Sequence, residues 1–383
     1  MTPYSNKNNP NVAFVYDWLV NYNMGGGEKV LEALMEIWPD APIFTLVHDP
    51  TGPCAALTHG KQVNTSLIQH LPGSKNHHRL YLPVMPFAIG QLDMKEFDLI
   101  ISCSHAFAHG VRTHPGQLHI NYIFTPFRYA WELNQEDMRD LGLSSGIKGW
   151  LLKVFLKYYR NWDTDAASRI DHFVAISDWV AEKVGRAYSS TADVIYPPVD
   201  VSSFSPVSKK SDHYLTISRL VPYKRLDIIT EAFSRMPDKQ LIVIGEGPEK
   251  THLAANAPSN IKFLGYQPFK AMKSYLESAK GFVYSAVEDF GIAPIEAQAA
   301  GTAVIGFRKG GLLETVIEGE TGLFYDEQTP ESLIIAVNQF ESSGIQFDAD
   351  RMHQHAAQFS KQRFKDEIQA YVNQRWVEFI THT

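Results

Sequence analysis

Glu288-Asp289-Phe290-Gly291-Ile292-Ala293-Pro294-Ile295-Glu296 decides the fold. The apolar run Gly281–Ala286 before it reads as a buried strand. The run Ala293–Ala300 after it reads as a helix that stops at Gly301. A strand, a short loop and a helix in that order make half of a βαβ unit. The loop then lies at the carboxyl end of a parallel strand, where open α/β sheets bind ligands. Glu288 is expected in the loop, where it can accept hydrogen bonds from sugar hydroxyls. Glu296 is expected in the first turns of the helix, where it can hold a ribose. The ordinary alternative is a solvated acid beside a helix acid favoured by the macrodipole.

The same alternation of short apolar strands and helical patterns runs through the chain and predicts parallel sheets. In the first half the strands are read at Val12–Asp17, Ile43–Val47, Leu99–Cys103, Ile120–Phe124, His172–Ile176 and Val194–Tyr196. In the second half they are read at Tyr214–Ser218, Leu241–Gly245, Ile261–Leu264, Gly281–Ser285 and Ala303–Phe307. Pro197-Pro198, followed by a Ser-, Pro- and Lys-rich stretch, reads as a linker. Two Rossmann-like halves joined there would enclose a cleft. The segment Asp350–Ile380 reads as wholly helical.

Composition narrows the function. The 383-residue chain has a formal net charge of −7, which argues against broad nucleic-acid binding. Cys54 and Cys103 fit no metal-ligand spacing and no disulfide framework. The polar start MTPYSNKNNP and the lack of a long apolar run predict a cytoplasmic protein, with any membrane contact peripheral.

Several motifs carry chemistry. Arg219 and Lys224 follow a strand, and two such cations suit a diphosphate leaving group without a metal. Gly26 and Gly27 sit at a helix start, where amides can approach a phosphate. Gly245 and Gly247 flank a turn that could bring backbone to a ligand, and Gly310-Gly311 opens another such loop. His105 follows the strand Leu99–Cys103, with His109 four residues on. An i, i+4 His pair could bind metal, but no acidic partner follows. His105 reads either as an ordinary helix-start histidine with an exposed neighbour or as a cleft residue beside the reacting sugar. Asp163-Thr164-Asp165 imitates a metal-binding D-x-D but sits by a helical run, so it reads as structural, such as a helix cap. Lys148–Trp162 contains no acid. Its Lys153, Lys157 and Arg160 share one face, and Leu151, Phe155, Tyr158, Tyr159 and Trp162 the other. That pattern suits an anionic bilayer or, equally, a core-facing helix.

Taken together, SRLVPYKRLD at 218–227, GEGP at 245–248, EDFGIAPIEAQAAGTAVI at 288–305, GG at 310–311 and ETGLFYD at 320–326 resemble family 4 of the retaining nucleotide-sugar glycosyltransferases. DLIISCSHAFAHGV at 98–111, YIFTPFRYAWE at 122–132 and VIYPPVD at 194–200 look like bacterial mannosyltransferases of O-antigen and exopolysaccharide assembly. The resemblance implies the α/β GT-B fold: two Rossmann-like domains with a cleft between them and a C-terminal helix crossing over. It implies an acceptor-binding domain at 1–200, a nucleotide-sugar domain at 201–360, and a helix at 361–383 packing back on the first. Transfer of mannose from GDP-mannose to a saccharide or lipid-linked acceptor, in polysaccharide or lipopolysaccharide synthesis, is the implied activity. Arg219 and Lys224 would neutralise the diphosphate, Glu288 receive sugar hydroxyls and Glu296 bind the ribose. Amides at Phe290, Gly291 and Ile292 would face the donor, with Gly26 and Gly27 near the phosphates. No cofactor or metal is implied. Relatives often carry His directly before the Thr-Pro, where this chain has Phe124. His105 would then carry more of the catalysis. A UDP-sugar transferase of the same family, an epimerase and a non-catalytic sugar-nucleotide-binding protein are the alternatives.

Overall fold

The computed structural model describes residues 9–20, 25–52, 54–58, 60–131, 146–255 and 257–382. Of the stretches read above, Met1–Asn8, Glu132 and the side chains of Tyr129 and Lys148 lie outside the described residues. The chain divides into two compact units, Met1–Pro197 with Phe364–Thr383, and Pro198–Arg363.

The first unit is built on β1 (Val12–Tyr16), β2 (Ile43–Thr45), β3 (Val63–Thr65), β4 (Leu99–Ser104), β5 (Leu118–Ile123), β6 (His172–Ala175) and β7 (Ala192–Val194). They form one sheet in the order β3-β2-β1-β4-β5-β6-β7, parallel throughout. β1, β4 and β5 are buried along their whole length, which explains their continuous apolar sequences. Helix Lys361–His382 buries Phe364, Ile368, Val372 and Trp376, one per turn. Phe364 meets the ring of Tyr122 at 5.6 Å, and Tyr371 donates to Asp193 at 2.7 Å.

The second unit holds β8 (His213–Ile217), β9 (Gln240–Ile244), β10 (Ile261–Gly265), β11 (Gly281–Tyr284), β12 (Val304–Phe307) and β13 (Gly322–Tyr325). Their order is β10-β9-β8-β11-β12-β13, again parallel. In each unit the strand order reverses once, between β1 and β4 and between β8 and β11. Crossovers on either side of that point leave by opposite faces, so a crevice opens at the carboxyl ends of those strands.

Four sequence readings are corrected. The edge strands β3 and β13 were missed. The strand expected at Val194–Tyr196 lies earlier, at Ala192–Val194. The C-terminal segment is two helices, Ala349–Ala357 and Lys361–His382. It breaks where the Phe359 carbonyl accepts from Val199 N–H at 2.8 Å, a backbone bond made outside the helix.

Candidate active site

In the second unit, β8 ends at Ile217 and the chain turns through Arg219 to a tight turn at Pro222–Lys224. Arg225 then adopts a left-handed conformation, φ 52°, before helix Leu226–Ser234. A non-glycine residue rarely sits there unless its surroundings hold it. Arg225 is held by Asp227 and Gln328, and Gln328 bonds the Ser285 carbonyl at the end of β11. The turn is thereby tied to the neighbouring strand, and Lys224 is aimed at it.

Lys224 forms an ion pair with Glu288, the two side chains being 13% and 19% exposed. Its ammonium also lies 3.5 Å from the Tyr284 hydroxyl and 5.2 Å from the Tyr223 ring centroid. Arg219 donates to Tyr223 OH at 2.8 Å. Arg219, Tyr223, Lys224, Tyr284 and Glu288 thus form one cluster at the β8/β11 switch point. Burial opposes the charge on Lys224, but Tyr284 and Glu288 outweigh it and hold its pKa above the ordinary lysine value. Burial likewise raises the Tyr284 phenol, assisted by Glu288. The lysine stays charged throughout the physiological range. The sequence pointed to both cations and to Glu288. It missed the two tyrosines that join them, which carry no motif of their own.

The glycines have a second cause. At Gly245, with φ 143°, a Cβ would overlap the Ser218 carbonyl oxygen, and at Gly247 one would overlap that of Leu220. Leu220 N–H bonds the Glu246 carbonyl at 2.9 Å, so this turn grips the loop after β8. Gly310 and Gly311 do the same for the other loop. Gly311 N–H donates to the Glu288 carbonyl at 2.8 Å, and a Cβ there would strike Phe290. These glycines place the cationic and acidic loops by close packing. Gly291, with φ 93°, precedes helix Ile292–Ala299, which carries half-buried Glu296 in its second turn. Phe290 is buried against Phe359. Its amide and those of Gly291 and Ile292 open that helix.

In the first unit, β1 ends at Tyr16 and the next residue, Asp17, is fully buried. Its carboxylate accepts four backbone N–H groups, from His105 at 2.7 Å, Ala106 at 3.1 Å, Phe107 at 2.5 Å and Ala108 at 2.7 Å. His105 Nδ1 adds a fifth contact at 2.9 Å. Burial opposes ionisation of Asp17, but His105 and these amides hold its pKa below the usual carboxylate value. Burial also opposes the imidazolium, yet Asp17 raises the His105 pKa above its ordinary value. With Nδ1 engaged, Nε2 is the nitrogen left to meet a substrate. The ring stands edge-on to Trp18, centroids 4.8 Å apart.

Gly26 and Gly27 open helix Gly26–Ile37, and Gly25 N–H donates to Glu28 at 3.0 Å. A Cβ on Gly27 would meet the Tyr16 hydroxyl and the Phe124 ring. Phe124 packs with Tyr16, Tyr122 and His105 in an aromatic group.

His109 does not join His105. It is buried against Asp163, Nε2 to Oδ1 2.9 Å. Asp163 also accepts from Trp131 Nε1 at 2.7 Å and Tyr188 OH at 2.8 Å, inside helix Gly146–Ala167. The Asp163 reading is corrected from helix cap to buried acceptor, because the surrounding donors come from three other segments. Among the described residues no three acidic, His or Cys side chains form a group able to hold a metal ion.

Residues 201–370 match the family Glycosyl transferases group 1. An uncharacterized glycosyltransferase of Methanocaldococcus jannaschii is 27% identical over 70% of this chain and 72% of its own length. A GDP-mannose-dependent monoacylated phosphatidylinositol monomannoside mannosyltransferase of Corynebacterium glutamicum is 30% identical over 43% of this chain, which spans about half of it, 51%. Two solved structures share the fold. A lipopolysaccharide outer core galactosyltransferase superposes with TM-score 0.69 at 15% identity, covering 95% of this chain and 99% of its own. An Anabaena protein solved with UDP-glucose superposes with TM-score 0.65 at 17% identity, covering 94% and 99%. The matches support a glycosyltransferase with the two-Rossmann GT-B fold. The group 1 match contains Arg219, Lys224, Glu288 and Glu296. Asp17 and His105 lie outside it.

Among the described residues no helix is long and apolar enough to cross a membrane.

Proposed function

We propose that the chain is a retaining, metal-independent hexosyltransferase that moves mannose from GDP-mannose onto a saccharide or lipid-linked acceptor of a cell-surface polysaccharide. The observation that carries this is the chain of contacts at the β8/β11 switch point: Arg219 bonds Tyr223, Lys224 lies over the Tyr223 ring and beside the Tyr284 hydroxyl, and Lys224 pairs directly with Glu288. The reaction breaks the bond between the anomeric carbon and a phosphate oxygen and forms one to an acceptor oxygen. Negative charge grows on the diphosphate as the sugar becomes oxocarbenium-like. Fixed cations at the leaving oxygen lower that barrier with no reorganisation. Arg219 and Lys224 supply them, together with the amides of Phe290, Gly291 and Ile292. Glu288 exchanges its partner for the sugar hydroxyls, and Glu296 holds the ribose. Attack comes from the face the phosphate leaves, and the departing phosphate oxygen takes the acceptor proton. His105, oriented by Asp17, hydrogen-bonds the reacting sugar through Nε2.

The mannosyl assignment rests on the first-domain motifs and on the mannosyltransferase relative. A UDP-sugar donor is the second reading, favoured by the shared fold of the UDP-glucose-bound Anabaena protein. A thermal-shift panel of nucleotide sugars decides between them, because a bound ligand stabilises the native state by mass action. GDP-mannose is expected to give the largest shift, and a larger shift with a UDP-sugar would replace the donor assignment. Nucleotide release from that donor is expected to need acceptor and to survive EDTA. Activity lost in EDTA and restored by manganese would overturn the metal-independent mechanism. Tight binding without release, whatever the acceptor, would favour a binding protein.

A further inference from the structure

Helix Gly146–Ala167 buries one side, and among the described residues a second apolar side is left uncovered. Leu156, Tyr159, Asp163 and Ala166 face the core of the first unit. Phe155 and Trp162 pack beside them. Leu151 and Tyr158 do not join that face, although the sequence grouped them with Tyr159. Trp150, Leu151, Val154 and Tyr158 are 63%, 54%, 49% and 51% exposed. At 100° per residue they occupy an arc of about 100°, opposite the buried side. A globular helix needs one apolar stripe for its core, and single exposed apolar residues need no explanation. Four of them on one arc of one helix form a patch of the kind that marks an interaction surface.

Two exposed cations, Lys153 and Lys157, border this arc. Neither forms an ion pair among the described residues. Arg160 is different: it bonds the Ala130 carbonyl at 2.6 Å and lies over Trp131, so it serves the fold. Residues 148–162 contain no acid, in a chain whose net charge is −7. A partner drawn to this face must be apolar and bear negative charge.

We propose that this face of helix Gly146–Ala167 docks on an anionic lipid bilayer. Leu151 and Val154 enter the acyl boundary. Trp150 and Tyr158, each apolar with one polar atom, sit at headgroup level. Lys153 and Lys157 run their stems over the apolar arc and place their ammonium groups among lipid phosphates. A second pair of exposed apolar residues, Leu80 at 77% and Phe87 at 60%, belongs to the same unit. The proposal concerns the first unit alone and stands whichever sugar donor is correct. It would bring a lipid-linked acceptor and this enzyme to one surface.

The test is co-sedimentation of the full chain with vesicles of phosphatidylcholine alone or mixed with phosphatidylglycerol. Binding is expected only to the mixed vesicles, and it should weaken in high salt. Lys153→Glu/Lys157→Glu is expected to lower the vesicle affinity by about tenfold or more. Trp150→Ser/Val154→Ser should abolish binding. All four sites are exposed, so melting temperatures should stay close to that of the natural chain, which separates lost docking from lost fold. No binding to mixed vesicles, or equal binding by all variants, would overturn the proposal. So would a concentration-dependent dimer that Trp150→Ser/Val154→Ser dissociates while vesicle binding persists, because the face would then belong to a second copy.

Discussion

Replacing Lys224 by alanine is expected to cut turnover by about 10²–10³-fold, the usual loss when one preorganised group at a developing charge is removed. The ammonium is the cation that pairs with Glu288 and lies beside the Tyr284 hydroxyl. Its pKa stands above the ordinary lysine value, so it stays protonated through the physiological range. The substitution also strands Glu288, a half-buried carboxylate, which costs about 1–3 kcal/mol of stability. A melt beside the turnover assay detects that loss. Lys224→Ala/Glu288→Gln removes the stranded charge, so it should recover most of the melting temperature and none of the turnover. Near-normal turnover in either protein would remove Lys224 from the mechanism.

The second large effect is structural. Asp17→Ala is expected to cost about 3–5 kcal/mol, as breaking a buried pair does when one charge is left without its partner. Four amides and His105 Nδ1 lose their common acceptor, and the turn after β4 loses its anchor. Asp17→Asn keeps one acceptor oxygen and should fall between the two. Urea titration reads the difference. An Asp17→Ala protein as stable as the natural chain would show that the carboxylate holds nothing. The pair also predicts a pH dependence. Asp17 has a folded pKa below its unfolded one, so its contribution is present above the unfolded value and lost as pH falls through the folded value. His105 has a folded pKa above its unfolded one, so its contribution is full below the unfolded value and lost as pH rises through the folded value. The natural chain should therefore weaken toward both acid and alkali, and Asp17→Ala should flatten both limbs.

What the sequence made legible has a physical boundary. β1, β4, β8 and β11 were read because strands buried on both faces must be apolar throughout. β3 is three half-buried residues at a sheet edge, Val63-Asn64-Thr65, too short and mixed to leave a pattern. β13 was hidden because Gly322-Leu323-Phe324-Tyr325 follows directly on a glycine turn. Arg219, Lys224 and Glu288 were found through local motifs after strands. Asp17 was not, because its partners lie 88 to 91 positions away and nothing local announces them. Tyr284 was missed for a similar reason, its partner Lys224 lying 60 positions away, and Tyr223 because a tyrosine between two cations carries no motif of its own. The glycines were found, but the demand that fixes four of them is contact with protein backbone, which only the packed loops reveal.

If the Arg219–Lys224 cluster grips the second phosphate of a nucleotide, the two cations must discriminate diphosphate from monophosphate. The most direct measurement compares the affinity of the chosen nucleoside diphosphate with that of its monophosphate by calorimetry, in the natural chain and in Lys224→Ala. A clear preference for the diphosphate is expected, falling by about tenfold or more without the lysine, since an ammonium–phosphate contact is charge-assisted. A diphosphate-to-monophosphate ratio that is the same in both proteins would contradict it.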